Sequence, residues 1–305
     1  MSRDLANLRC ALPIYTVCNV IAIVAITLLS KLRLDVASFG AVFFTVPLLV
    51  VGALFTRRRV MGTASLILEV LCSGIVLSVV VLLASYLAIS LDRPLVDAAL
   101  ADADRWLGFN AFDIVTMVNN MPVLSSMLMY AYSSFSLQLL VLPILLIVLG
   151  SPASAYTLVL SYGLAGVVAS LISIWFPAVG AHISYDLASQ RLPSVNLYYG
   201  YAFLSEFNAV RANSEFTLSL ATAQGILTFP SVHTAVAIIC TVASFGQRVL
   251  RYPVLTLNVL MLISTVTHGG HYLVDVIAGI VVATLALVTT LVIARSRIPG
   301  IVALT

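Results

Sequence analysis

His268-Gly269-Gly270-His271-Tyr272-Leu273-Val274-Asp275 opens a run that continues through Val276-Ile277-Ala278-Gly279 with no further charge until Arg295. A polar mouth of histidines and glycines gives way to a stretch of the length, about 20 apolar residues, that crosses a bilayer as a helix. A second stretch has the same build: Phe229-Pro230-Ser231-Val232-His233 precedes another apolar run. Pro230-Ser231 ahead of such a run reads as a helix start, with proline in the first turn. Three of the chain's four histidines lie in these two mouths.

Working outward, the whole chain has this character. It has 305 residues, of which 61% are hydrophobic and only 9% charged, with a mean hydropathy of +1.12. A soluble domain carries about 25% charged residues, so this chain reads as an integral membrane protein. Its net charge of +3 argues against a nucleic-acid partner. The four cysteines, Cys10, Cys18, Cys72 and Cys240, sit in or beside apolar segments with neither metal-ligand nor disulfide spacing. They read as small core residues. The first apolar segment has no small-residue cleavage site followed by a soluble chain, so it reads as a transmembrane helix rather than a leader.

Eight segments qualify or nearly qualify as spans: 12–30, 36–55, 62–90, 123–149, 154–176, 231–249, 253–267 and 272–294. With the N-terminus in the cytoplasm, Arg3, Arg9, Arg57, Arg58, Arg59, Arg248, Arg251, Arg295 and Arg297 lie inside. Lys31, Arg33, Arg93, Arg105, Arg191 and Arg211 lie outside, and that bias favours this orientation. It puts His233 and His271 at the outer ends of spans six and eight, on one face. Residues 91–122 carry Leu95, Ala99, Leu100, Ala103, Trp106 and Leu107 at helical spacing, as in a helix lying in the membrane interface. Residues 177–230 form a long outer loop of the kind that is usually functional. His182 and Tyr198, Tyr199 and Tyr201 read there as interfacial residues. Glu69, in span three, is expected to pair with a polar neighbour.

The chemistry follows from spacing. His271 and Asp275 are four residues apart, hence stacked neighbours on a helix. An aspartate there accepts the Nδ1 proton, fixes the tautomer and leaves Nε2 as a nucleophile. His233, one turn into its own helix, is placed to act as a general acid. Ser231 at a helix start suits phosphate, and Gly269 and Gly270 would let backbone approach a ligand. A transferring phosphoryl group also calls for a cation. Arg211 is the first candidate and Arg191 the second.

Phe-Pro-Ser-x-His followed by Gly-Gly-His-Tyr-x-x-Asp-x-x-Ala-Gly resembles the type-2 phosphatidic acid phosphatase (PAP2) superfamily. Within it the pattern is similar to the branch containing the fungal inositol phosphorylceramide synthases and their bacterial relatives. The resemblance covers roughly residues 91–295 and includes Asp104-Arg105-Trp106-Leu107-Gly108-Phe109, Gln138 and Phe176-Pro177-Ala178. It implies an all-α integral membrane protein of about eight transmembrane helices: a six-helix core, an N-terminal hairpin (1–60) and an interfacial helix, with residues 61–305 as the catalytic membrane domain. It implies chemistry with no metal or other cofactor, in which His271 forms a phosphohistidine, Asp275 orients it, and His233 protonates the leaving group and then activates the acceptor. Water as acceptor gives a phosphatase, and a hydroxyl gives a transferase. The substrate would be a lipid phosphate or phospholipid drawn from the bilayer, and the oligomeric state stays open. Two elements of the family pattern are missing. There is no Lys-x6-Arg-Pro, and Ser264-Thr265 stands where Ser-Arg is usual. Phosphate binding then falls to Arg211 and His268.

Two rival readings use the same residues. His268-x-x-His271 with Asp275 and His233 has the side-chain types of a metal-dependent hydrolase. A proton-coupled transporter would use the histidines, Asp275 and Glu69 as a relay.

Overall fold

The computed structural model describes residues 2–212 and 215–296. Arg297, counted above among the inner basic residues, lies outside them. The elements run α1 (Arg3–Leu29), β1 (Arg33–Leu34), α2 (Gly40–Arg58), α3 (Gly62–Ile89), α4 (Asp97–Trp106), α5 (Ala111–Asn119), α6 (Pro122–Ser133), α7 (Phe135–Val148) and α8 (Pro152–Ser173). The outer loop follows with α9 (Ala181–Ser184), α10 (Tyr198–Tyr201), α11 (Leu204–Ala212) and β2 (Thr217–Leu218). Then come α12 (Val232–Ser244), α13 (Arg248–Thr267) and α14 (Leu273–Arg295). Among the described residues the protein is an all-α membrane protein, apart from one ladder of two residues per strand.

Among the described residues, six helical segments are long and apolar enough to cross a membrane: α1, residues 36–58 including α2, α3, α8, α13 and α14. The other two expected spans are built from shorter apolar helices. Span 123–149 divides at Ser134 into α6 and α7. Ser133 and Ser134 both donate back to carbonyls of the preceding turn, of Met129 (2.8 Å) and Ala131 (2.7 Å), a local competition with the helix ladder. The ladder resumes at once, with Gln138 N donating to Ser134 O at 2.8 Å. Span 231–249 is shorter than expected, because α12 stops at Ser244 and Gly246-Gln247 turns the chain into α13.

The helix α8 is the hub. It packs against α1, α3, α7, α12 and α14. Close approach to α3 rests on glycine, since a Cβ at Gly166 would lie 2.4 Å from the Val81 side chain and one at Gly163 2.9 Å from Leu77. Small residues let membrane helices touch backbone to backbone. The same device joins α12 to α14. A Cβ at Gly279 would sit 2.5 Å from the Ser231 carbonyl oxygen, so only glycine lets the two helix mouths meet there.

Glu69 is paired as expected. It takes both guanidinium arms of Arg9 (2.7 and 2.5 Å), the Tyr156 hydroxyl (2.6 Å) and the Ser65 hydroxyl (2.9 Å). The pairing ties α1, α3 and α8 together within the apolar bundle. At the opposite end of the hairpin, β1 runs parallel to β2 with Arg33 opposite Thr217. Ser219 donates to Asp35 (3.0 Å) and Leu220 N to Ser38 Oγ (2.9 Å). The hairpin is therefore fastened to the outer loop.

In α4 the buried residues are Leu100, Ala101 and Asp104, while Trp106 is 88% exposed and Leu107 is also exposed. The helix turns Leu100, Ala101 and Asp104 toward the rest of the chain and leaves Trp106 on its outer side.

Candidate active site

The acids of α4 explain that orientation. Asp104 accepts from the amides of Leu273 (2.8 Å) and Val274 (3.0 Å), capping α14 from another helix. Burial pushes its carboxyl above the ordinary range, and these two bonds pull the other way. Asp97 accepts from the amides of Val179 and Gly180 (2.8–3.1 Å) and from the Tyr272 hydroxyl (3.2 Å). Between them they hold the Tyr272 end of the histidine–glycine mouth and the loop that leans on it.

Inside that frame, His271 Nδ1 lies 3.1 Å from Asp275 Oδ2, and the same oxygen accepts the Tyr272 amide at 3.0 Å. An ionised carboxylate only accepts, so Nδ1 carries the proton and Nε2 keeps its lone pair. His271 Nε2 is 3.3 Å from the Ser231 hydroxyl. The amide of Ser231 in turn donates to the Asp275 carbonyl at 3.1 Å. The two sequence mouths are thus hydrogen-bonded to each other.

His233 is held differently. Its ring stacks on Tyr132 with centroids 4.1 Å apart and planes 10° apart, and tilts against Phe135 at 4.4 Å. Both histidines line one cavity of about 270 Å³ with Gly269, Tyr132, Tyr199 and Thr228. Among the described residues the lining contains hydroxyls, imidazoles and apolar groups but no lysine or arginine. Ser231 caps α12 by accepting from Thr234 N at 3.3 Å. Among the described residues, the amides of Val232 and His233 have no partner. The free helix start at the cavity is therefore that of α12, since α14 is already capped by Asp104 and Asp275.

The remaining sequence candidates lie elsewhere. Arg211 is not brought into the cavity: it pairs with Asp92 at 2.7 Å, donates to the Arg93 carbonyl at 3.0 Å and lies over Phe207. Arg191 is exposed in the outer loop. His268 is buried and faces away, with Nε2 3.4 Å from Ser125 Oγ and Nδ1 2.9 Å from Thr267 Oγ1. Burial lowers its pKa to about 4. The glycines serve packing first. A Cβ at Gly269 would meet the Tyr132 ring at 2.5 Å, and Gly270 has φ +73° with His182 packed on it.

His182 and two of the tyrosines are not interfacial anchors. His182 is fully buried between Gly200 and Gly270, which lowers its pKa to about 4. Tyr201 donates to the His182 carbonyl at 2.7 Å, and Tyr199 packs on Tyr132. Sequence reasoning also missed Asp97, Asp104 and Tyr132. Of these only Asp104 carried a signal, in the Asp104–Phe109 likeness.

The sequence model of the PAP2 superfamily matches residues 98–289, well over half of the chain. The chain belongs to this superfamily, whose members are in general phosphoesterases. No curated protein and no solved structure matches it.

Proposed function

We propose that the protein is a membrane lipid phosphatase or headgroup phosphotransferase that works through a phosphohistidine on His271. The observation that carries this reading is the ordered trio Asp275–His271–Ser231. A carboxylate fixes Nδ1–H, and Nε2 is turned toward the free start of α12. The Nε2 lone pair attacks phosphorus, and the bond from phosphorus to the leaving oxygen breaks. His233 gives that oxygen its proton. An acceptor O–H then loses its proton to His233, its oxygen attacks phosphorus, and the P–Nε2 bond breaks. The free amides of Val232 and His233 at a helix N-terminus supply the positive end that a phosphoryl oxygen needs.

A lipid substrate is supported by the cavity's surroundings. It shares Ser78, Phe135 and Tyr162 as walls with a neighbouring apolar groove of about 340 Å³ lined by Leu71, Gly74 and Leu139. The excess of basic residues at the other end of the bundle supports an outer-leaflet site and a cytoplasmic N-terminus. The missing Ser-Arg element and a cavity without a fixed cation favour the headgroup-transferring branch over simple phosphatidic acid hydrolysis.

The test is to incubate the purified protein with ³²P-labelled lipid phosphates and phospholipids, with and without hydroxyl acceptors. An acid-labile label on His271, absent in His271→Ala, is expected. Full turnover by His271→Ala would overturn the reading.

A further inference from the structure

Nothing polar orients His233. Among the described residues no hydrogen bond holds its ring, whereas His271 has Asp275. What touches the ring is aromatic: Tyr132, near-parallel at 4.1 Å, and Phe135 at 4.4 Å. These two residues straddle the break between α6 and α7. The edge of the Tyr132 ring occupies the space that a side chain at Gly269 would fill, and Tyr199 packs 5.0 Å away. A chain of contacts therefore runs from His233 through Tyr132 to Gly269, two residues before His271.

We propose that Tyr132 is the positioning residue of the general acid: its ring clamps the His233 imidazole in the plane from which it serves the leaving oxygen. The same face steadies the proton-bearing form, because an aromatic quadrupole attracts a cation lying over it. This rests on the reading of His233 as the acid, so the test needs one readout with turnover and one without.

The first readout compares an alkyl phosphate, whose leaving oxygen must be protonated, with 4-nitrophenyl phosphate, whose leaving group needs no acid. Tyr132→Ala is expected to lower kcat on the alkyl ester roughly 10–100-fold, part of the roughly 10²–10⁴ that a general acid supplies. The nitrophenyl ester should lose far less. Tyr132→Phe, which keeps the ring, should recover most of the loss. Equal losses on both esters, or no recovery with phenylalanine, would overturn the proposal.

The second readout is the rate at which diethyl pyrocarbonate modifies His233, followed by mass spectrometry. It should rise several-fold in Tyr132→Ala and fall back in Tyr132→Phe. An unchanged rate in Tyr132→Ala overturns the clamp, even if the wild-type protein proves inactive on both esters. That inactivity, by contrast, would count against the proposed function alone.

Discussion

His271 and His233 stand at the mouths of neighbouring helices and line one cavity, yet different physics holds each of them. His271 is set by hydrogen bonds: Asp275 to its ring, the Tyr272 amide to the same carboxylate, and Asp104 to the next two amides. His233 is set by the faces of Tyr132 and Phe135. A hydrogen-bonded ring has one permitted tautomer and direction. A stacked ring is confined to a plane while either nitrogen stays free to give and take a proton. A nucleophile benefits from the first arrangement and an acid–base group from the second.

The comparison can be broken most severely at Asp275. In Asp275→Ala the tautomer is no longer fixed and the Tyr272 amide loses its acceptor. Loss of an orienting aspartate costs about 10⁴ in kcat in the serine-protease case, and a loss of about 10²–10⁴ is expected here, read by steady-state turnover on a lipid phosphate. Gly269→Ala should act on the stacked side, because its Cβ would lie 2.5 Å from the Tyr132 ring. A loss of about 10-fold on an unactivated ester is expected, within the range of general-acid effects. Asp104→Ala strips two part-buried amides of their acceptor and should cost about 1–3 kcal/mol of stability. Thermal unfolding in detergent measures it, and Asp104→Asn should lose less.

A smaller effect comes from the buried neutral histidines. His182 and His268 take up a proton near pH 4 when folded and near 6.5 when unfolded. Between those values the unfolded chain binds more protons, so stability falls as pH falls. A melting temperature lower by roughly 5 °C at pH 5 than at pH 7.5 is expected. His182→Leu should reduce that slope. The least effect is expected from Arg211→Ala, whose ion pair with the exposed Asp92 is worth about 0–1 kcal/mol. A loss of activity beyond 100-fold in that variant would show that arginine reaches the phosphate after all.

Much of the architecture was legible because membrane spans are written locally. A run of apolar residues declares itself, and Pro230-Ser231 and His271-x-x-x-Asp275 carry their geometry in their spacing. The serines at 133–134 and Gly246-Gln247 changed span lengths through local bonding that hydropathy does not register. What supports the site was not legible, for a physical reason. Tyr132 sits in an apolar helix and reads as core, and its partner is 101 residues away at His233. Asp97 has no sequence neighbour that reveals the backbone amides it caps. Arg211 has the charge and the side, but its partners, Asp92 and the Arg93 carbonyl, lie more than a hundred residues earlier in the chain. Gly269 lines the cavity beside the Tyr132 ring, and His182 packs on Gly270, contacts that no local pattern records.

The two-residue ladder between β1 and β2 bears on how the protein is assembled. It joins positions 184 residues apart, Ser219 to Asp35 among them. Closing so long a loop carries an entropic cost that is repaid only when both ends are in place. The segment just beyond it, Gly225 to Thr228, forms a wall of the cavity that His233 and His271 line. During synthesis the hairpin, α3 and the outer loop must all have emerged before that wall is fixed. The N-terminal hairpin lies outside the residues matched to the superfamily, yet it is bonded to the same loop that supplies the cavity's wall.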